Sequence, residues 1–277
     1  MEEFSLVSSE KRFNAFQAPK KHYVNLNELL KSPQKYEDKV KSNGFVVIKN
    51  VINEEKISKL RNNYYKLFSH EYKFENNSWH QLTNPIDSHG YGNHPVKSFL
   101  KSEEFLSFVN DPQLKNIASI LLGSKKTILS KRILVRSFSK CSTFTTKAHR
   151  DKEYYVCPEP KKAITAWIPI GPADVNHGQL IYLENSHNFE FEDKSQKEKK
   201  DRIISSDLDK LAKVNSSRWL IPKINIGDIV FHCLFSVHAS FKSQVTVPRL
   251  SCDLRFAASK NHEDPRWNSY WYGEDGL

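Results

Sequence analysis

Five short runs of β-forming residues follow one another after residue 126, separated by proline, glycine and asparagine turns, whereas helical patterns dominate before it. The runs lie at residues 127–138, 163–170, 179–183, 228–232 and 250–257. A chain that places its helices first and its strands second folds as an α+β protein or as a β-barrel supported by helices. We therefore predict one mostly β domain over residues 1–277, with supporting helices.

The part of the chain before the strands is predicted to support them. Residues 1–24 show little periodicity and are predicted to form an N-terminal arm. Residues 25–125 are predicted to be mainly helical around a short buried strand at 44–48. Helices are expected from the N-cap Asn53 onwards, at 96–109, and at 111–122 between an Asp-Pro start and a glycine stop.

The strand-rich core is predicted to extend over residues 126–257. A charged insertion at about 188–219 interrupts it and is either a lid or an inert loop, of which the inert loop is favoured. Residues 258–277 are predicted to form a C-terminal tail.

The charge balance narrows the choice of partners. Lysine and arginine number 42 against 32 aspartates and glutamates, which gives a formal charge of +10. Such an excess suits a nucleic-acid partner, an anionic small substrate or a solvated basic surface. The basic residues are scattered, and their densest run, at 194–202, includes acidic residues, which is more typical of a surface loop than of a phosphate-binding stripe.

The cysteines and the chain start indicate the compartment. Cys141, Cys157, Cys233 and Cys252 form no CxxC pair and no regular spacing, so no disulfide framework is expected. The chain start lacks the pattern of a secretory leader, and no run approaches the ~20 apolar residues that span a bilayer. We expect a soluble cytoplasmic protein.

A histidine and a carboxylate two residues apart, His149 and Asp151, stand among the predicted strands. In an extended backbone such residues point to the same side, which gives two of the three ligands of a 2-His-1-carboxylate iron site. A second His-x-Asp pair, His262 and Asp264, lies in a polar run after the last strand, with no histidine downstream, and is predicted to be a loop.

The third ligand is expected from one of the histidines that follow. His238 is favoured because it stands at the start of a strand, after a glycine-acid turn and the run at 228–232, and strand ends of a barrel meet at a common mouth. His232 is the competing candidate.

The last strand alternates between two classes of side chain. Leu250, Cys252, Leu254 and Phe256 suit a hydrophobic layer, whereas Arg249, Ser251, Asp253 and Arg255 occupy the other face. A guanidinium inside a barrel is costly unless it meets an anion, and its fork matches a carboxylate. Arg249 is therefore predicted to anchor a carboxylate.

Five elements in this order and spacing resemble the phytanoyl-CoA dioxygenase-like family. They are His149-x-Asp151, Trp167 in its strand, Gly178-Gln179 leading to Asn185-Ser186-His187, Gly227-Asp228 before His238, and Arg249-x-Ser251. The resemblance covers about residues 40–257, weakly in the helical part. It implies a double-stranded β-helix (jelly-roll) core and a single catalytic domain, an Fe(II)- and 2-oxoglutarate-dependent dioxygenase.

The resemblance also implies roles for individual residues. His149, Asp151 and His238 are expected to bind iron, and Arg249 to pair with the distal carboxylate of 2-oxoglutarate. Ser240 and Ser251 are expected to assist Arg249 by hydrogen bonding, and Trp167 to pack beside the co-substrate.

The reaction that the resemblance implies consumes O2 and 2-oxoglutarate and releases succinate and CO2. Related halogenases have a small residue in place of the carboxylate ligand. The carboxylate of Asp151 therefore favours hydroxylation or another oxidation.

The substrate contacts are predicted less directly. Candidates are Arg255 above all, then Tyr154, Tyr155, Arg136, Arg132, Trp79 and His80, the last two from a loop at 74–96 rich in side chains that suit a ligand. If several of the arginines face the iron, an anionic substrate is predicted.

The sequence supports three hypotheses about function. The first is a hydroxylase of a small anionic metabolite, and the second is an oxygenase that acts on nucleic acid or on a protein side chain. The third is a non-catalytic jelly-roll binding module. The sequence does not indicate the oligomeric state.

Overall fold

The computed structural model describes residues 2–82, 96–142, 145–198 and 201–269. Its strands are β1 (Glu3–Ser8), β2 (Lys11–Gln17), β3 (Tyr23–Asn25), β4 (Phe45–Lys49), β5 (Tyr72–Glu75), β6 (Ser78–Gln81), β7 (Ile128–Leu129), β8 (Leu134–Phe138), β9 (Ala163–Pro169), β10 (Leu180–Leu183), β11 (Trp219–Ile221), β12 (Ile229–Cys233), β13 (His238–Ser240) and β14 (Arg249–Ala257). Its α-helices are α1 (Leu26–Lys31), α2 (Lys39–Asn43), α3 (Glu54–Leu67), α4 (Val96–Leu100), α5 (Glu103–Val109), α6 (Pro112–Leu122) and α7 (Leu208–Val214).

The larger of the two main sheets has the strand order β3-β4-β12-β9-β14-β7, and β8 also pairs with β14. Strand β14 is the longest, and it lies between β9 on one side and β7 and β8 on the other. Its register with β9 sets Asp253 opposite Trp167 and Arg255 opposite Thr165. The polar face of β14 therefore lies beside the polar residues of its neighbours.

The smaller main sheet has the order β1-β2-β11-β10-β13. Residues 1–24 were predicted to form an arm, but strands β1 and β2 form a hairpin that joins this sheet through a parallel pairing of β2 with β11. The pairing with β11 could not be predicted from the sequence, because β11 lies about 200 residues further along the chain and no local pattern reveals the contact.

The two main sheets pack against each other. Phe45, Trp167 and Val230 of the larger sheet form one apolar cluster with Tyr182 and Leu220 of the smaller one. The opposite face of the larger sheet is covered by the helices α3 to α6, whose buried side chains share a second cluster with the apolar residues of β14. This arrangement is a jelly roll supported by helices, which confirms the predicted fold class.

Local signals set several element ends as predicted. The side chain of Asn53 caps α3 by accepting from the Glu55 N–H, and Asp111 caps α6, which ends at Gly123 in the left-handed region. The predicted helix at 96–109 is instead two helices, because the Ser102 side chain accepts from the Phe105 N–H and so begins α5. Among the described residues, no helix has the length and apolarity that crossing a bilayer requires.

Candidate metal centre and its surroundings

Three side chains with metal-binding atoms meet where two distant stretches of the chain run side by side. His149 and Asp151 stand in a loop that turns at Asp151–Glu153, and His238 opens β13. Backbone hydrogen bonds of 3.1 and 3.0 Å between His149 and His238 hold the stretches in antiparallel register. One ligand atom of each of the three side chains lies within 4.8 Å of the other two, and all three residues are buried. Two nitrogens and one carboxylate oxygen are the facial set that suits non-haem iron(II).

The backbone fixes which nitrogen of each histidine faces the centre. Nδ1 of His149 donates to the carbonyl of Lys147 at 2.8 Å, and Nδ1 of His238 donates to the carbonyl of Ser236 at 3.1 Å. A carbonyl only accepts, so Nδ1 carries the proton in both rings and Nε2 keeps its lone pair. Burial lowers the pKa of both histidines, which favours the neutral rings that bind a metal.

The carboxylate of Asp151 is held from several sides. Its Oδ2 accepts from Thr165 Oγ1 at 2.5 Å and from His232 Nε2 at 3.1 Å. Its Oδ1 forms an ion pair with Arg255, 2.9 Å from Nη2, and lies 3.7 and 3.8 Å from the Nε2 atoms of the two histidines. Burial alone would raise the pKa of Asp151, but Arg255 and His232 hold this pKa well below its usual range. The side chain is therefore an ionised ligand with a fixed orientation.

His232, the competing candidate for the third ligand, has a different position. Because a carboxylate only accepts, the bond to Asp151 requires that His232 carry its proton on Nε2. Its Nδ1 then accepts from the hydroxyl of Tyr182 at 3.1 Å. Both nitrogens are occupied, so the structure groups His238, and not His232, with His149 and Asp151.

A second polar position lies at the beginning of β14. The Arg249 guanidinium is buried, 4.8 Å from the centre of the Phe138 ring and 5.7 Å from that of Trp167, and its Nη1 donates to the carbonyl of Gly178. Burial, with a contribution from a nearby arginine, lowers the pKa of Arg249 to about 9. Within the described residues, Arg249 Nε and the hydroxyl of Ser251 are buried without a partner. Such donors fit a bound carboxylate, and the Trp167 ring lies beside the Arg249 guanidinium.

Ser240 makes a backbone contact near this position. Its hydroxyl accepts from the N–H of Thr146 at 2.8 Å, and its carbonyl accepts from the hydroxyl of Ser8 at 3.0 Å. These bonds fix the stretch that leads to His149.

Two of the predicted substrate contacts, Tyr154 and Arg255, lie beside the metal ligands, and the charge of a third, Arg136, acts on His149. The Tyr154 ring packs edge-on against His149, with ring centres 5.5 Å apart, and burial raises the pKa of this tyrosine to about 12. Arg136 donates to Asp253 at 2.9 Å from the neighbouring strand. Arg255, the preferred candidate, forms its ion pair with the iron-binding carboxylate itself.

Two other candidates belong to the packing behind the centre. The hydroxyl of Tyr155 lies 3.1 Å from that of Ser130, and its ring packs against Trp267, within the helix-side core. The guanidinium of Arg132 lies 5.7 Å from the centre of the Trp267 ring.

Trp79 and His80 lie on the β5–β6 hairpin. Trp79 packs against Tyr65 and donates from Nε1 to Asn62 of α3 at 3.0 Å, and His80 Nδ1 lies 2.8 Å from the hydroxyl of Thr246. Their contacts are thus with the scaffold, and we leave them out of the proposed site. The rest of the predicted ligand-contacting loop, at 83–95, lies outside the described residues.

Two residues that the sequence did not single out complete the centre. Thr165 lies two residues before Trp167 on β9, so strand alternation places both on one face, and this signal was available. Trp267 lies in the predicted tail, and the centre of its ring is 5.2 Å from the Arg255 guanidinium. No sequence pattern in the tail predicts this contact.

The second His-x-Asp pair is a loop, as predicted. His262 contacts the Ser259 hydroxyl at 2.8 Å and Glu159 at 3.2 Å. Asp264 accepts from the N–H of Val156 at 2.7 Å.

The chain resembles known proteins in both sequence and structure. A family model described as "Phytanoyl-CoA dioxygenase (PhyH)" matches residues 40–249. The epimerase SnoN in complex with Fe3+, alpha ketoglutarate and nogalamycin RO has a TM-score of 0.60 at 17% identity, covering 82% of this chain and 84% of that chain. The alpha ketoglutarate-dependent carbocyclase SnoK from nogalamycin biosynthesis has a TM-score of 0.59 at 18% identity, covering 84% and 86%.

A third structure, EctD from S. alaskensis in its apoform, has a TM-score of 0.60 at 14% identity and covers 98% of this chain and 90% of that chain. At these identities the three structures establish a shared fold. The search of curated proteins found no match.

Proposed function

The chain belongs to the phytanoyl-CoA dioxygenase family of non-haem iron(II) and 2-oxoglutarate-dependent oxygenases, and we propose that it hydroxylates or otherwise oxidises a small, anionic metabolite. The observation that carries the proposal is the convergence of His149, Asp151 and His238, each with a ligand atom within 4.8 Å of the other two. The four described cysteines are free, which supports the proposed cytoplasmic location.

We assign iron(II) to the two Nε2 atoms and to Asp151 Oδ1, and 2-oxoglutarate to the space between this centre and Arg249. When bound, iron with 2-oxoglutarate and O2 supplies the oxidant for a substrate C–H bond, with succinate and CO2 as co-products. Arg249 Nε and the Ser251 hydroxyl, buried donors that have no partner among the described residues, are available to the distal carboxylate of the co-substrate.

The remaining contribution of the protein is orientation. Thr165 and His232 hold Oδ2 of Asp151, which turns Oδ1, paired with Arg255, toward the two Nε2 atoms and the metal. Trp167 and Phe138 flank the Arg249 guanidinium and limit the access of water to it. A carboxylate ligand at position 151 leaves no position for a halide, which supports hydroxylation or a related oxidation over halogenation.

One observation supports a small molecule as the substrate. The solved relatives include an epimerase and a carbocyclase from the biosynthesis of nogalamycin. The anionic character of the substrate is proposed from the formal charge of +10, because Arg136 and Arg255 already pair with Asp253 and Asp151.

The proposal is tested by binding of the co-substrate in the absence of O2. Anaerobic Fe(II) with 2-oxoglutarate should give a weak visible charge-transfer band, and His149→Ala or Asp151→Ala should abolish it. A matched control is His262→Ala, in the second His-x-Asp pair, which should keep the band. Wild-type protein without the band would contradict the iron assignment.

A second candidate, an oxygenase of nucleic acid or of a protein side chain, is motivated by the formal charge of +10. It predicts an affinity for oligonucleotides that falls steeply with salt. If fluorescence anisotropy at low salt detects no binding to single- or double-stranded oligonucleotides, the nucleic-acid form of this candidate is excluded. A non-catalytic binding module is disfavoured, since all four proposed iron and co-substrate residues are present.

A further inference from the structure

Arg202 is a buried arginine in the charged insertion, close to the metal centre. Only 8% of it is exposed, and its Nε donates to the carbonyl of Lys197 at 2.8 Å. Its Nη1 is buried without a partner in the part of the chain that the structure describes. The same part of the chain offers Arg202 no carboxylate within ion-pair distance.

This lack of a counterion sets Arg202 apart. Arg150 pairs with Glu153, and Arg255 pairs with Asp151. Among buried arginines whose contacts lie wholly within the described residues, only Arg249 shares the property. Burying a guanidinium without an anion costs folding free energy, so the presence of Arg202 at a buried position indicates that an anion binds there. For Arg249 the proposed anion is the distal carboxylate of the co-substrate, whereas the proposed function assigns no anion to Arg202.

The position of Arg202 connects it with the reaction centre. Its guanidinium lies 5.7 Å from the centre of the Tyr154 ring, and the same ring packs edge-on against His149 at 5.5 Å. The stretch after Arg202 is fixed to the metal loop, because Ala148 pairs with Ser205 and its carbonyl accepts from the N–H of Ile204 at 2.7 Å. Arg202 and the proposed metal ligand His149 therefore both contact the ring of Tyr154.

We infer that Arg202 binds the anionic group of the substrate, a carboxylate or a phosphate-type group, and that the charged insertion is thereby part of the substrate site. The inference rests on the proposed function and names the residue that selects the substrate class. An anion held at Arg202 lies near the Tyr154 ring that also contacts His149, so the substrate extends along this ring to present a C–H bond at the metal.

The test measures anion binding directly, without knowledge of the substrate. Protein loaded with Co(II) and saturating 2-oxoglutarate, which occupies Arg249, is titrated with methylphosphonate or with acetate against chloride at equal ionic strength, and thermal unfolding is followed. We expect at least one of the two anions to raise the wild-type Tm above the chloride value. Arg202→Met should raise the half-saturating concentration of that anion at least ten-fold.

Two further variants keep the outcome interpretable. Arg218→Met removes an arginine of the same insertion that already pairs with Glu184, at 2.8 Å, and should leave anion binding unchanged. Arg202→Lys, which retains the charge without the fork, should lie between wild type and Arg202→Met, and it replaces Arg202→Met if that variant does not fold.

The outcomes separate this inference from the proposed function. A response to methylphosphonate alone identifies a phosphate-type group, and a response to acetate as well identifies a carboxylate. Equal anion binding in wild type and Arg202→Met, or no response of the wild type to either anion, overturns the role of Arg202. The charge-transfer band of Arg202→Met should be intact in every case, whereas loss of the band in the wild type contradicts the proposed function itself.

Discussion

Asp151 offers two chemically different oxygens, and the surrounding residues decide which one faces the metal. Oδ2 is occupied by Thr165 and by His232, and His232 is in turn held by the hydroxyl of Tyr182. Residues that orient a metal ligand in this way commonly contribute 10–100-fold, roughly, to metal affinity. His232 is therefore a positioning residue whose effect on the metal is measurable.

His232→Phe should weaken binding of Fe(II) in the presence of 2-oxoglutarate by about 10–100-fold, because the donor to Asp151 Oδ2 is lost. His232→Gln, whose amide still donates, should have a much smaller effect. Anaerobic titration of the charge-transfer band measures both, with His238→Gln as the reference for loss of a ligand. If His232→Gln abolished binding as His238→Gln does, His232 would be a ligand itself.

His22 predicts a contribution to the pH dependence of stability. It is buried, and its ring stacks on that of Phe45. Burial lowers the pKa of His22 to about 4, although the hydrogen bond to the Phe45 carbonyl raises this pKa in part. Between pH 6.5 and pH 4 the unfolded chain binds a proton at this residue that the folded chain does not. The folded state therefore loses about 3 kcal/mol of stability from His22 as the pH falls through this window.

The variant His22→Phe removes this titration and keeps the stacked ring. The difference in unfolding free energy between wild type and variant, measured by urea denaturation, should shift in favour of the variant as the pH falls from 6.5 to 4. A constant difference for His22→Phe would show that His22 does not titrate in this way.

At this scale the sequence predicted the residues whose signal is local. His149 and Asp151 stand two apart, and Arg249 begins an alternating strand, so each is visible in a short window. Arg202 was hidden in a charged run that suits a surface loop, and only contacts with Tyr154 and Lys197 reveal its burial. The substrate contact of Trp79 stays a prediction, because an aromatic residue in a polar loop gives no indication of the side on which it packs.

In strand β14 the alternation of polar and apolar residues predicts which side chains share a face, but it does not predict how deeply each face is buried. Leu250, Cys252, Leu254 and Phe256 do pack in the helix-side core, as predicted, and the polar residues occupy the other face. Yet every residue of β14 is buried, because the strand has neighbours on both sides and layers on both faces. The pattern gives the faces of a strand but not what covers them.

The turn before β10 contains Gly178, whose lack of a side chain allows the close approach of the chain after β13. Gly178 has a φ of +67°, and a Cβ there would lie 2.4 Å from the carbonyl oxygen of Phe241, just after β13. Its own carbonyl accepts from Arg249. The turn thus links the positions of β10, the end of β13 and the co-substrate arginine.

Gly178→Ala should therefore destabilise the fold by about 3 kcal/mol or more and weaken 2-oxoglutarate binding, since backbone atoms must move. Gly123→Ala is the matched control: its φ is +58°, but the nearest atoms to a Cβ are 3.8 Å away, so only the left-handed strain of about 1 kcal/mol applies. Urea denaturation and 2-oxoglutarate titration measure the two effects. Equal destabilisation by the two substitutions would contradict the steric argument.

At the scale of the whole molecule, the charged insertion at 188–219 differs most from what the sequence predicts. The sequence left it open as a lid or an inert loop and favoured the inert loop. In the structure Arg150 donates to the Glu192 carbonyl at 2.9 Å, and Lys152 donates to Asp193 at 2.9 Å. Both lie next to Asp151 in the chain, so the insertion is fastened to the metal loop, a long-range relation that no local pattern encodes.

Glu153 is the centre of this attachment. Its carboxylate is buried, pairs with Arg150, and accepts from the N–H of Lys194 at 2.8 Å. Removing one partner of a buried ion pair costs about 3–5 kcal/mol, because the other charge stays buried and unpaired. Glu153→Gln keeps the shape of the side chain but removes its charge, so it should release the insertion from the metal loop.

The expected result is faster cleavage by trypsin within the lysine-rich run at 194–202, together with weaker anion binding at Arg202, since the insertion carries that residue. Mass spectrometry of a timed digest locates the cleavage. Glu192→Gln, an exposed residue whose side chain pairs with Lys197, is the control and should be cleaved at the wild-type rate. If Glu153→Gln were cleaved no faster than Glu192→Gln while its unfolding free energy fell, Glu153 would stabilise the metal loop alone, and the insertion would depend on the pairing of Ala148 with Ser205.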